Sequence, residues 1–159
     1  MTLLAMLLGL VLPACGQAGA AGVPAPTPID FAHLVRPASP NTALAAPASF
    51  SPKPDLVTPA YPLTPETLFA RARAVAQSEP RTYLQAAFPD RMQADYVARS
   101  AVFNFPDLVT VQVLPANDGT ARLVLWSRSV YGRSDFGVNR KRLTTWIAAL
   151  DPTPARSND

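Results

Sequence analysis

The residues that could do chemistry crowd into one stretch. Ser127, Arg128, Ser129, Arg133, Ser134, Asp135, Asn139 and Arg142 follow directly on Trp126. Two arrangements suit them. In the first, Ser134 or Asp135 caps a helix, and Asp135 pairs with Arg128 or Arg142 to fix a corner between strand and helix. In the second, arginines from the strand end and the helix start join free helix amides to hold a phosphate or carboxylate, with Trp126 as an apolar or stacking wall. The ligand-binding set would then be Trp126, Arg128, Arg133, Ser134, Asp135, Asn139 and Arg142.

Other chemistries have little to work with. The one histidine is His33 and the one cysteine is Cys15, both far from this stretch. Nucleophilic catalysis needs a base within hydrogen-bond reach, and a zinc site needs three or four nitrogen or sulfur ligands, so neither is expected and no metal or cofactor is implied. Paired carboxylates stay open through Asp95, Asp107, Asp118 and Asp135. Asp107 follows Pro106 and Asp118 precedes Gly119, however, where aspartate serves turns. Gly132 and Gly137 stand alone and match no phosphate loop. The formal charge of +3 is too small for the basic stripe of a nucleic-acid binder.

The elements that must position these groups are legible in part. Thr64-Pro65-Glu66 supplies a hydroxyl cap, a first-turn proline and an acid at the positive helix end, so a helix should run from there to about Glu79. Its apolar stripe is Leu68, Phe69, Ala72, Val75 and Ala76. Four strand-like runs follow, over 82–88, 93–105, 108–114 and 120–130, divided by proline-aspartate breaks and by the hairpin residues Ala116 to Gly119. Val109, Val111 and Val113 alternate with Thr110 and Gln112, which predicts one buried face and an antiparallel sheet. Ala121, Leu123 and Leu125 face one way; Arg122, Val124, Trp126 and Arg128 face the other. A last helix over about 136–150 sets Asn139, Leu143, Trp146, Ile147 and Leu150 on one side. Leu56 to Tyr61, broken by Pro59, is an edge strand at most. The expected fold is α+β: an antiparallel sheet of four to five strands with two helices on one face, in the order β-α-β4-α, helix-grip-like or TBP-like.

Ahead of this domain (55–150) the chain changes character. Residues 1–12 form an uncharged apolar run, too short to span a bilayer but suited to a signal-peptide core, and it ends in Leu12-Pro13-Ala14-Cys15. That tetrapeptide resembles the lipobox of bacterial lipoproteins, in which the cysteine is diacylated and becomes the new N-terminus. The resemblance makes 1–14 the signal peptide and Cys15 the lipidation site, with ordinary cleavage near Gln17–Ala20 as the alternative that yields a free periplasmic protein. The 18 prolines are concentrated between Pro24 and Pro65. Residues 15–29, rich in Ala, Gly and Pro, read as a tether, 30–54 as an extended strap lying on the domain, and 151–159 as a disordered tail.

The run from Trp126 to Arg142, WSRSVYGRSDFGVNRKR, resembles the signature of domain-of-unknown-function family 1499, together with Ser39-Pro40-Asn41-Thr42 and the Tyr96 to Ser100 strand. The resemblance covers roughly residues 30–150. Many members carry a cysteine after the Pro-Asn pair where this chain has Thr42, so a thiol role there does not carry over, and the family brings no catalytic residue. The expected function is a non-enzymatic binding or accessory module of the bacterial envelope. It would be membrane-anchored through Cys15 and would take an anionic or lipid-like ligand or an envelope protein partner. The competing class is a carboxylate-assisted hydrolase or isomerase centred on Asp135 or Asp95.

Overall fold

The computed structural model describes residues 2–150, so the tail of 151–159 lies outside the described residues. In chain order the elements are α1 (Leu3–Leu8), β1 (Thr42–Ala46), β2 (Leu56–Val57), β3 (Ala60–Tyr61), α2 (Pro65–Ser78), β4 (Thr82–Phe88), β5 (Gln93–Arg99), β6 (Pro106–Pro115), β7 (Ala121–Ser129) and α3 (Val138–Leu150). The class is α+β. A meander of four antiparallel strands, β4 to β7, stands between α2 and α3 as the patterning requires. α2 begins on the Thr64 hydroxyl, which accepts the Thr67 amide with Pro65 in the first turn.

The sheet itself is larger than expected and mixed. It has seven strands in the order β2-β1-β7-β6-β5-β4, with β3 also on β7. β1 pairs antiparallel with β7 and parallel with β2, so a piece of the proposed strap is an interior strand. Prolines concealed it: Pro40 and Pro47 flank Thr42–Ala46 rather than interrupt it, and its alanines have little strand propensity of their own. Their small side chains let the strand sit under α3, and Ala43, Leu44, Ala45 and Ala46 are all buried. The second correction is β5, which stops at Arg99. The expected continuation to Phe105 is a loop in which Asn104 takes a left-handed φ of 58° and the Ser100 amide donates to the Phe105 carbonyl.

Strand alternation divides the core in two. On the inner face Ala94, Tyr96, Val109, Val111, Val113, Leu123 and Leu125 pack against Leu68, Phe69 and Ala72 of α2 and Leu143, Trp146 and Leu150 of α3. Trp146 meets Tyr96 edge to face at 6.2 Å. Each fully buried leucine here contributes about 1.5–3 kcal/mol. The outer face is covered as well, by the N-terminal arm. Phe31 inserts among Leu44, Val124 and Trp126, flanked by Ile29, Leu34 and Phe50. The Gln93 side chain, fully buried, gives its amide to the Ile29 carbonyl and accepts the Ile29 N–H, standing in for a strand partner. Ile29, the last residue of the expected tether, is thereby bonded to the sheet. Among the described residues no helix is long and apolar enough to cross a membrane.

Candidate functional site

β7 sends alternate side chains to opposite faces, and this splits the constellation read from the sequence. Ser127 and Asn139, both fully buried, lie on the inner side with Arg142. Arg142 donates from one guanidinium nitrogen to the Ser127 hydroxyl (2.8 Å) and the Asn139 side-chain oxygen (2.8 Å), and from the other to Asp107 at 2.7 Å. The Ser127 hydroxyl also bonds that Asn139 oxygen. The Asn139 amide donates to the Asn41 carbonyl and the Ser129 hydroxyl, each at 3.0 Å, and Asn41 in turn donates to the Gly132 carbonyl. The network ties β1, β6, β7 and α3 together, and every charge in it is answered.

Asp135 acts on its own backbone. Its carboxylate accepts the Gly137 amide at 3.0 Å and the Asn139 amide at 2.7 Å, so the anion at the start of α3 is the chain's own. It forms no pair with Arg128 or Arg142; the partner of Arg142 is Asp107. Ser134 accepts the Phe136 amide, and both Ser134 and Arg133 are exposed. Asp135→Ala should lower stability by about 0.5–2 kcal/mol, the cost of a lost cap, read as a shifted denaturant midpoint with an unchanged slope.

Trp126 and Arg128 stand on the outer face, away from this corner. The Arg128 guanidinium lies 4.5 Å from the centre of the Trp126 ring, and one of its nitrogens reaches the Thr110 hydroxyl at 3.4 Å. Thr110 donates to Asp95 at 2.7 Å. Arg128, Asp95, Gln85 and Leu108 line a cavity of about 270 Å³ whose remaining wall is the arm, Pro24 to Thr27 and Ile29. Gln85 holds the arm there by donating to the Pro24 carbonyl at 2.8 Å. Among the described residues Arg128 makes no ion pair within 4 Å, and the Trp126 indole N–H is buried without a partner.

The electrostatics follow from burial. Burial pushes the Asp95 carboxyl above its ordinary value of 3.8, against the lowering by the Thr110 hydrogen bond and the Arg128 charge. Burial likewise pulls the Arg128 guanidinium down, which Asp95 opposes; an arginine remains charged regardless. The folded state therefore binds a proton at Asp95 more readily than the unfolded chain does. That contribution is complete below the unfolded value of 3.8 and is lost as pH rises through the higher folded value. Asp95→Asn should remove that loss, so the variant gains on wild type as pH is raised from the acid side, seen in urea midpoints across the range.

The sequence offers Asp95 only as a possible catalytic acid, and the alternation of Val109, Val111 and Val113 with Thr110 and Gln112 predicts a single buried face. Thr110 and Gln112 are buried as well, with Asp95 and Gln93 opposite them in register. The signal was present in β5: Gln93, Asp95, Val97 and Arg99 alternate with Ala94, Tyr96 and Ala98, an unusually polar face for a strand buried throughout. Among the described residues no three His, Cys, Asp or Glu side chains converge as metal ligands. The cavity holds one carboxylate, Asp95.

A search of curated proteins finds no match. The family described as "Protein of unknown function (DUF1499)" matches residues 35–150, a span that takes in β1, the whole meander, both packed helices and each of Asp95, Thr110, Trp126 and Arg128. On that match, the chain belongs to this family of proteins of unknown function.

Proposed function

We propose that the protein is a binding module of the bacterial envelope whose ligand carries a compact anionic group, a phosphate or carboxylate, received by Arg128. The observation that carries this reading is the state of that guanidinium. It is desolvated, stacked on Trp126 and without a carboxylate partner, and it opens into a cavity. A half-buried cation left without a carboxylate within 4 Å is a ready receiver for a ligand's opposite charge. Burial raises the Asp95 carboxyl above its ordinary value, which lessens its repulsion of the same anion. The inner corner does not compete for this role, because Asp107 answers Arg142 and Asp135 fills the helix start. A hydrolase or isomerase would need a second carboxylate facing Asp95, and none lines the cavity among the described residues.

Calorimetric titration with inorganic phosphate and with short-chain phosphatidylglycerol tests the reading and separates a free anion from a lipid headgroup. Saturable heat with either ligand supports it. No heat with both, while the protein stays folded, removes it.

The envelope part rests on Leu12-Pro13-Ala14-Cys15 after the apolar run. Cys15→Ser should abolish incorporation of labelled palmitate and move the protein from the detergent fraction to the soluble periplasm. A mature N-terminus beyond Cys15 would leave a free periplasmic protein instead.

A further inference from the structure

Arg99 at the end of β5 and Asn104 in its following loop, with Arg81 and Tyr131 beside them, form a receptor for the chain's own N-terminal segment at one end of the sheet. Arg99, 5% exposed, donates to the carbonyls of Ala14 (2.7 Å), Gly19 (2.6 Å) and Ala21 (2.6 Å). Asn104, 2% exposed, donates to those of Cys15 (2.7 Å) and Gln17 (2.8 Å), and its oxygen is held by Arg81. The Tyr131 hydroxyl accepts the Ala14 amide. All but one of the carbonyls so held belong to Cys15 or later residues, so cleavage ahead of Cys15 leaves the cradle filled. Cys15 is thus fixed at the end of the domain formed by the loops 100–105 and 130–137, not released on a spacer.

That end is also where large apolar side chains face outward. Val102 is 54% exposed, Phe103 43%, Val138 47% and Phe136 97%. Phe136 sits at a φ of 52°, a conformation that bulky residues rarely take. Bonds to Ser134 and Asp135 hold the backbone around it, and the ring gains nothing within the fold. Beside it a mainly apolar cleft of about 380 Å³ is lined by Leu12, Phe105, Tyr131, Phe136 and Val138 among others. Three exposed cations, Arg133, Arg140 and Lys141, ring this end without ion pairs among the described residues. Two of them stand in the first turn of α3, where the helix dipole disfavours them. Of the acids nearby, Asp107 is taken by Arg142 and Asp135 by helix amides, which leaves Glu79 by Lys141. Apolar tips in a cationic ring match an anionic bilayer surface.

We infer that this end of the domain, Val102, Phe103 and Phe136 with Arg133, Arg140 and Lys141 around them, is a membrane-contact surface that seats the domain directly on the bilayer holding the Cys15 lipid. The inference rests on the envelope reading above, yet both ways of attaching the chain point here. Cys15, buried while the leader is in place, is held at this end, so acyl chains on it would emerge here once the leader is removed. The apolar leader itself lies here, its Thr2 hydroxyl donating to the Val102 carbonyl and its Leu3, Met6, Leu7, Leu10 and Val11 exposed.

The full protein, purified from membranes and reconstituted in vesicles of brominated phosphatidylcholine and phosphatidylglycerol, tests it through added tryptophans. Phe136→Trp should lose most of its added emission to the bromines, read against wild type. Asn117→Trp, in the hairpin at the opposite end of the sheet, should lose none. Quenching of Phe136→Trp should weaken when phosphatidylglycerol is left out. If palmitate-labelled protein is membrane-bound but Phe136→Trp is unquenched, the contact surface is overturned while the anchor stands. Cross-linking between copies at position 136 would overturn it in favour of a second chain. Protein that carries no acyl group and stays in the soluble fraction would overturn the anchor and this inference together.

Discussion

Arg142→Met should destabilise the domain by about 3–5 kcal/mol, because it removes one partner of a buried ion pair and leaves the other uncompensated. The side chains of Arg142 and Asp107 are only 14% and 10% exposed. The same change takes a charged donor from both the Ser127 hydroxyl and the Asn139 side-chain oxygen, which keep only the bond between them, and a hydrogen bond to a charged group is worth about 1.5–3 kcal/mol. Arg133→Ala, a change in the same stretch of sequence at an exposed site, should stay within about 0.5 kcal/mol of wild type. Chemical denaturation of the two variants measures the difference. Equal midpoints would mean that the network joining β1, β6, β7 and α3 does not hold the corner.

The second large effect is on affinity. Arg128→Gln should weaken binding of phosphate or phosphatidylglycerol by roughly ten- to a hundredfold, the value of a charge-assisted hydrogen bond of about 1.5–3 kcal/mol. Its effect on stability should be smaller, since the fold loses the stacking on Trp126, about 0.5–2 kcal/mol, and one long hydrogen bond to Thr110. A wild-type Kd in Arg128→Gln would separate the guanidinium from the ligand. Arg142→Met, where it remains folded, should keep its affinity, because Arg142 lies across the sheet from the cavity.

Local signals were strong where a residue's job is local. The Thr64 cap, the Pro89-Asp90 break, and the alternation of Val109, Val111 and Val113 specify α2 and much of the meander through nearest neighbours alone, whereas Pro106 and Asp107, expected to break the chain, open β6 instead. The same alternation shows Trp126 and Arg128 turned away from Leu125, and hence from Ser127 and Asn139. Proximity in sequence made one site of residues that the sheet sets on two faces. β1 was hidden because its alanines carry no period and its partner, β7, lies far along the chain. The covering of the outer face was hidden for a related reason. Nothing in Thr110 or Gln112 shows that Pro24, Ile29 and Phe31 will lie across that face. Tether composition speaks of backbone freedom, while Arg99 and Asn104 act on carbonyls, which every residue has.

The most direct measurement of the central claim is native mass spectrometry of the protein isolated from the membranes of producing bacteria, wild type beside Arg128→Gln. Wild type should carry a non-covalent adduct that fragments to a phosphate- or carboxylate-bearing species, and Arg128→Gln should emerge without it. The same adduct on both proteins, or none on either with no heat from phosphate or phosphatidylglycerol, would contradict an anion site at Arg128.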